Sequence, residues 1–267
     1  MKYVSLFAGI GGFDLALNRL GHSCVYSNEW DKYSADTYEK NFKHRPDTRD
    51  ITTVPTSDIP DHDILVGGFP CQAFSIAGKR LGLNDTRGTL FYEIGRILNT
   101  KRPSLILLEN VKGLLSHDNG RTFQTIMRTF DELGYDLQWQ VLNSKNFGVP
   151  QNRERVYIVG HLRGQSRPQV FPFGSNSAED SKVHKREGEI ASTINATYSR
   201  NQSDAQYVSL DGKIRRLTPT ECERLQGFPD GWTAGVSDTQ RYKQLGNAVT
   251  VNVVYEVAKR LGGDIYG

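Results

Sequence analysis

Cys71 stands in the stretch Gly67-Gly68-Phe69-Pro70-Cys71-Gln72-Ala73-Phe74-Ser75. A lone cysteine is more often a small buried hydrophobe than a reactive group. This one lies between Pro70 and Gln72 on a glycine-flanked loop rather than inside an apolar run, which favours reactivity. A free thiol with a pKa of about 8.5 is only a few per cent thiolate at neutral pH, so a nucleophilic Cys71 needs nearby positive charge or a helix end. Glu109 heads the triplet Glu109-Asn110-Val111 directly after the apolar run 104–108. A carboxyl there can share a pocket with Cys71 or be a solvated turn residue. Arg153 and Arg155 fall in Gln151-Asn152-Arg153-Glu154-Arg155 and share one side of an extended segment, because side-chain direction alternates with period two. They can steer a phosphate or a base carbonyl, or pair with Glu154 at the surface.

A second group of residues suits a cofactor. Phe7-Ala8-Gly9-Ile10-Gly11-Gly12 joins a strand-like to a helix-like stretch, where glycines let the backbone approach a ligand at a helix N-terminus. The spacing is not the GxGxxG of dinucleotide folds, and taken alone it fits a plain tight turn equally well. Glu29 at the end of the next strand adds an acceptor for ribose hydroxyls, Trp30 a flat face for adenine, and Asp50-Ile51 a grip on the base edge. Together these indicate an adenosine-containing cofactor.

The elements that must position these groups alternate along residues 1–162. Strand-like stretches at 3–7, 24–26, 63–66, 105–108, 137–142 and 156–159 alternate with helix-like ones at 13–20, 31–42, 89–98 and 122–133, with Asp31 as a helix N-cap. This rhythm predicts an α/β domain with a mostly parallel sheet, whose strand ends carry the glycine loop, the Cys71 loop and Glu109. Residues 163–214 are rich in Ser, Arg, Asn, Asp and Gly and read as a linker or a small loop-rich lobe. Helical signals return at Thr218-Pro219, and a last helix is expected over 247–261. The expected division is a catalytic and cofactor domain at 1–162 plus 247–267, and a small lobe at 163–246.

The chain has 267 residues, 37% hydrophobic and 24% charged, enough for a full core without disulfides or metals. Its net charge of +3 permits nucleic-acid binding without requiring it. Cys24, Cys71 and Cys222 have no CxxC spacing, which argues against a disulfide framework and a zinc site and for a reducing compartment. No signal-peptide pattern or membrane-length apolar run is visible, so a cytoplasmic protein is expected.

The order FAGIGG, NEW, GGFPCQAFS, ENV, QNRERVYIVG, RRLTPTECERLQGFP and QLGNAV resembles the C5-cytosine DNA methyltransferases, especially the bacterial and phage enzymes, over nearly the whole chain except about residues 163–214. The resemblance implies a Rossmann-like S-adenosylmethionine-dependent methyltransferase fold with a small target-recognition lobe. It implies that Phe7, Gly9, Gly11, Glu29, Trp30, Asp50, Ile51, Leu90 and Asn247 bind S-adenosylmethionine, the last helix returning from Asn247 to the first strand. It makes Cys71 the nucleophile, Glu109 the acid at cytosine N3, and Arg155, supported by Arg153, the residue at the cytosine carbonyl. The reaction implied is DNA (cytosine-5-)-methylation of a flipped-out base, with no metal.

The same resemblance places DNA contacts on Gln72 and Ser75, and on Lys79, Arg80 and Arg87 in or beside a closing loop over 74–86 with Gly78 and Gly82 as hinges. Thr193 and Ile194 match the end of the family's target-recognition region, with Arg200 following. Because the stretch between the flanking motifs is short for the family, a short or degenerate target of about two to four base pairs is expected, given about 1–3 kcal/mol of discrimination per good base contact. The partner is double-stranded DNA, acting as a monomer, with a cognate restriction endonuclease left open. An RNA C5-cytosine methyltransferase and a silent DNA-binding relative remain the alternatives.

Overall fold

The computed structural model describes residues 1–69, 90–165, 168–173, 191–197, 207–210 and 213–262. A six-stranded sheet runs in the order β2 (Ser23–Asn28), β1 (Lys2–Leu6), β3 (Ile64–Gly68), β4 (Leu105–Val111), β7 (Glu154–Leu162), β5 (Tyr135–Asn143). The first four strands are parallel, and β7 runs antiparallel to both neighbours. The expected mostly parallel α/β sheet is therefore present, with one reversed strand.

Period-two alternation divides the core between the two faces of the sheet. Tyr3, Val66, Leu105 and Leu107 pack on one side with α1 (Gly12–Arg19) and α7 (Val251–Leu261). Val4, Leu65, Ile106 and Leu108 pack on the other with α3 (Leu90–Lys101) and α4 (Arg121–Glu132). Sealed side chains of this kind contribute about 1.5–3 kcal/mol each. α2 (Lys32–Phe42) begins as expected at Asp31, whose carboxylate accepts from the Ser34 N–H at 2.9 Å.

Three boundaries differ from expectation. β4 continues through Glu109 and Asn110, because their backbone pairs with Tyr157 and Val156 of β7. The helix expected over 247–261, α7, starts only at Val251: Asn247 is the last residue of a separate helix, α6 (Asp238–Asn247), and Ala248 is extended. α7 packs against α1, and its buried residues share a core cluster with Tyr3 of β1, as expected of a last helix returning to the first strand. Finally, α5 (Pro219–Leu225) and α6 lie within 163–246 but do not stand apart as a lobe. Cys222, Leu225, Phe228, Trp232 and Leu245 are buried in the same core as α1 and α7, and the Trp232 indole N–H donates to the Ile10 carbonyl at 2.9 Å. The α5 start is a capping box between Thr218 and Glu221. Among the described residues of 163–216, β8 (Ala191–Ser192) lies beside β6 (Gln151–Asn152), β9 (Tyr207–Leu210) pairs antiparallel with β10 (Lys213–Arg216), and Val170, Phe171 and Ile194 are buried in the main core. No helix among the described residues is long and apolar enough to cross a membrane.

Candidate active site

The C-terminal ends of β1, β2, β3 and β4 open into one cleft of about 750 Å³. One wall is the glycine loop. Phe7, Gly9 and Gly11 all take left-handed backbone conformations, with φ of 54°, 57° and 84°, which turns the chain from β1 into α1. Gly11 is required for packing: a Cβ there would lie 2.1 Å from the Phe42 ring. It is not among the residues that line the cleft, whereas Phe7 and Gly9 are.

Glu29 closes this wall. One carboxylate oxygen accepts the Gly9 N–H and the other the Asp31 N–H, both at 2.8 Å. Burial raises its pKa, and these two N–H donors oppose the rise. Each oxygen keeps a second lone pair, so both can still accept a hydroxyl. Trp30 is 69% exposed and lines the cleft beside it, as do Asp50, Ile51 and Leu90. Asp50 caps the short turn Ile51–Thr53 by accepting from the Thr52 N–H. Arg96 of α3 holds that turn in place by donating to the Ile51 and Val54 carbonyls. Asn247 lies at the end of α6 on the opposite wall.

Glu109 sits deeper. The β3–β4 register sets it opposite Gly68, and its Oε1 lies 3.1 Å from Arg155 Nε. It is 8% exposed, and burial raises its pKa despite the opposing charges of Arg155 and Arg153. Such a carboxyl can hold a proton and donate it inside the cleft. Asn110 ties two strand ends together, its side-chain amide donating to the Phe69 carbonyl at 2.8 Å. Phe69 is the last described residue before the Pro-Cys-Gln stretch. Cys71, Gln72, Ser75, Lys79, Arg80, Arg87 and Arg200 lie outside the described residues.

One expected contact residue is not at the surface. Ile194, expected at DNA, is fully buried in the core, because its backbone is held from both sides: its N–H donates to Gln151 and its carbonyl accepts from Arg153. Arg153, expected to support Arg155, lines the cleft beside it and donates its terminal nitrogens to the carbonyls of Ile194, Gly246 and Ala248. Thr193 is half-buried and donates to the Asn152 carbonyl. Cleft residues that sequence reasoning missed include Lys243, Gln244, Gly246, Ala248 and Val249 of α6 and the corner after it, with Phe13, Asn28 and Ser34 on the other elements. Lys243 pairs with Asp31 at 2.9 Å, and Gln244 donates to the Tyr33 carbonyl, so α6 is tied across the cleft to α2. The QLGNAV string was the local signal for Gln244, Gly246, Ala248 and Val249, and Lys243 precedes it. Among the described residues no cluster of His, Cys, Asp and Glu is arranged to hold a metal.

A family model described as C-5 cytosine-specific DNA methylase matches in two overlapping pieces, residues 1–209 and 167–263. The chain is 38% identical over 313 residues to the type II methyltransferase M.HhaI of Haemophilus parahaemolyticus, covering 99% of this chain and 95% of that protein. It is 43% identical over 291 residues to the type II methyltransferase M.HaeII of Haemophilus aegyptius, covering 96% and 91%. The fold also matches the crystal structure of the Schizosaccharomyces pombe Dnmt2 methyltransferase, with a TM-score of 0.81 at 20% identity and full coverage of both chains.

Proposed function

The chain belongs to the C-5 cytosine-specific DNA methylase family and is a DNA cytosine-5-methyltransferase, and we propose that its cleft binds S-adenosylmethionine and works on a cytosine turned out of duplex DNA. The residues present fit that cofactor: Glu29 retains acceptor capacity for the ribose, Trp30 offers an exposed ring to the adenine, and Asp50-Ile51 borders the same space. Bound there, the cofactor supplies an electrophilic methyl group.

The chain's own residues supply the rest. Cys71 acts as a thiolate and forms a bond from Sγ to cytosine C6. The displaced electrons move toward N3, where Glu109 delivers a proton, so that C5 gains enamine character and becomes nucleophilic. Arg155 orients Glu109 and faces the cytosine carbonyl. After methylation a base removes the C5 proton, the C5–C6 double bond re-forms, the thiolate leaves, and N3 gives its proton back to Glu109. Buried Glu109 beside Arg155 in the cleft is the observation that carries this reading, since a carboxyl with a raised pKa is what N3 protonation needs. Gln72, Ser75, Lys79, Arg80, Arg87, Thr193 and Arg200 are proposed to hold the DNA. The catalytic unit comprises 1–162 and 217–262, leaving 163–216 as a reduced recognition lobe in a cytoplasmic enzyme. A cognate restriction endonuclease would share its target site.

The purified protein, given labelled cofactor, should methylate duplex DNA and not tRNA. Duplexes containing 5-fluorocytosine should trap it covalently, because a fluorine at C5 cannot be removed as a proton. Cys71→Ser should abolish the trap. A trapped Cys71→Ser adduct would refute the nucleophile, and label appearing only in tRNA would refute the substrate.

A further inference from the structure

A buried polar cluster extends from the cleft wall at Arg153 into the interior behind it. Gln151 and Gln226 are fully buried, and Arg153 and Thr250 nearly so. Arg153 donates to the Ile194 carbonyl at 2.8 Å, to Gly246 at 3.1 Å and to Ala248 at 2.8 Å. Gln151 donates to the Leu225 carbonyl and accepts the Ile194 N–H. Gln226 donates to the Leu245 carbonyl and accepts from the Thr250 hydroxyl, while its own carbonyl accepts the Val251 N–H. These bonds bend the chain at the α6–α7 corner, whose residues 246–249 line the cleft. They also fix residues 191–197, which do not line it. The two backbones touch directly: a Cβ on Gly246 would fall 2.2–2.4 Å from Asn195 C and O and Ala196 N.

We propose that Gln151, Arg153 and Gln226 are positioning residues that link the cofactor-facing corner 246–249 to segment 191–197, so that filling the cleft orders the re-entry of the recognition lobe. A guanidinium is a rigid planar fork, and three carbonyls on one fork cannot shift independently. Each group in the cluster is buried, so a bond lost during motion is not replaced by water. A ligand that restrains the corner therefore also restrains Ile194, and DNA that needs 191–197 in place meets a segment whose ordering cost is already met. Burial lowers the Arg153 pKa to about 10, still high enough for the charged fork to persist at neutral pH.

The inference rests on cofactor occupancy of the cleft, and hydrogen exchange tests it without DNA or turnover. Saturating S-adenosylhomocysteine should slow amide exchange across 191–197 in the wild-type protein by about 5-fold or more, the lower range of typical coupling. In Arg153→Lys, and in the milder Thr250→Val, this slowing should shrink to under about 2-fold while exchange at 246–249 still responds. Thr250→Val removes one hydroxyl donor with little change of shape, so it keeps the test open if Arg153→Lys does not fold. Slowing at 246–249 without any at 191–197 in the wild type would overturn the linkage. Undiminished slowing in Thr250→Val would remove Gln226 from it. Failure of S-adenosylhomocysteine to bind at all would overturn the assignment of the cleft, and the linkage with it.

Discussion

At Glu109 two forces oppose each other. Burial favours the neutral acid, and Arg155 at 3.1 Å favours the carboxylate; burial prevails and the pKa is raised. The folded protein therefore holds this proton more tightly than the unfolded chain, whose glutamate titrates near about 4.3. Stability falls as pH rises from there until the folded pKa is passed. Glu109→Gln removes that penalty. Its melting temperature relative to wild type should thus improve as pH is raised from about 4 to 8, while turnover falls by about 10²- to 10⁴-fold, the usual worth of a general acid. A flat or declining difference in melting temperature would show that the ion pair, not burial, sets the carboxyl. The other described cysteines make the contrasting case. Burial pushes the Cys24 and Cys222 thiols up to about 12, which leaves almost no thiolate at neutral pH. Both should resist iodoacetamide at neutral pH, and Cys24→Ala should turn over normally; peptide mass spectrometry and a methylation assay check the two. Glu29, Trp30 and Glu109 were legible in the sequence because each stands at or near the C-terminal end of a strand, and strand ends of a parallel sheet converge on one rim. The true occupation of Arg153 was not, because its partners Gly246 and Ala248 lie far along the chain and nothing local to QNRER announces them.

Elements carry the rim, and the glycine pair at the end of β3 shows how tightly. Gly67 lies beside Leu6 in the β1–β3 ladder, and a Cβ on it would come within 2.8 Å of the Leu6 carbonyl oxygen. Backbone cannot rotate away as a side chain can, so the strands must separate. Gly67→Ala should cost about 1–3 kcal/mol, as overpacking generally does. Because Leu6 leads into Phe7 and Gly67 into Phe69, it should also raise the KM for S-adenosylmethionine. Gly113→Ala is the control: nothing lies within 4 Å of a Cβ there, and stability should stay within about 0.5 kcal/mol. Thermal melts of the two variants decide the matter, and equal melting temperatures would mean that β1 and β3 yield more easily than their register suggests. Sequence periodicity located all six strands of the sheet but misjudged where two elements end. β4 outlasts its apolar run because β7 pairs with its polar end. The helix expected from Asn247 begins only at Val251, past a corner whose carbonyls are claimed by Gln226 and Arg153, partners that no helical pattern contains. Both misses come from tertiary hydrogen bonds overriding a local signal.

For the whole molecule the open quantity is how much DNA the enzyme reads. The alignment with the Haemophilus parahaemolyticus relative runs to 313 residues, longer than this 267-residue chain, so that relative carries segments this chain lacks. The family model also matches in two pieces whose overlap, 167–209, falls within the expected recognition lobe. α5 and α6, which the sequence suggested as part of that lobe, are built into the catalytic core and its cleft wall. Ile194 is buried in the interior. The surface left for base reading lies within 163–216, and Thr193 is already engaged with the Asn152 carbonyl. With about 1–3 kcal/mol of discrimination from each good base contact, a lobe of this size supports a short or degenerate site of about two to four base pairs around the cytosine. Contacts to phosphate must then supply much of the affinity, and binding should weaken steeply with salt. Methylome sequencing of cells that express this chain alone reads the site directly. A strict six-base-pair target would mean that 163–216 presents more base contacts than its length suggests. A site that lengthens only when a second protein is co-expressed would instead assign the missing contacts to that partner.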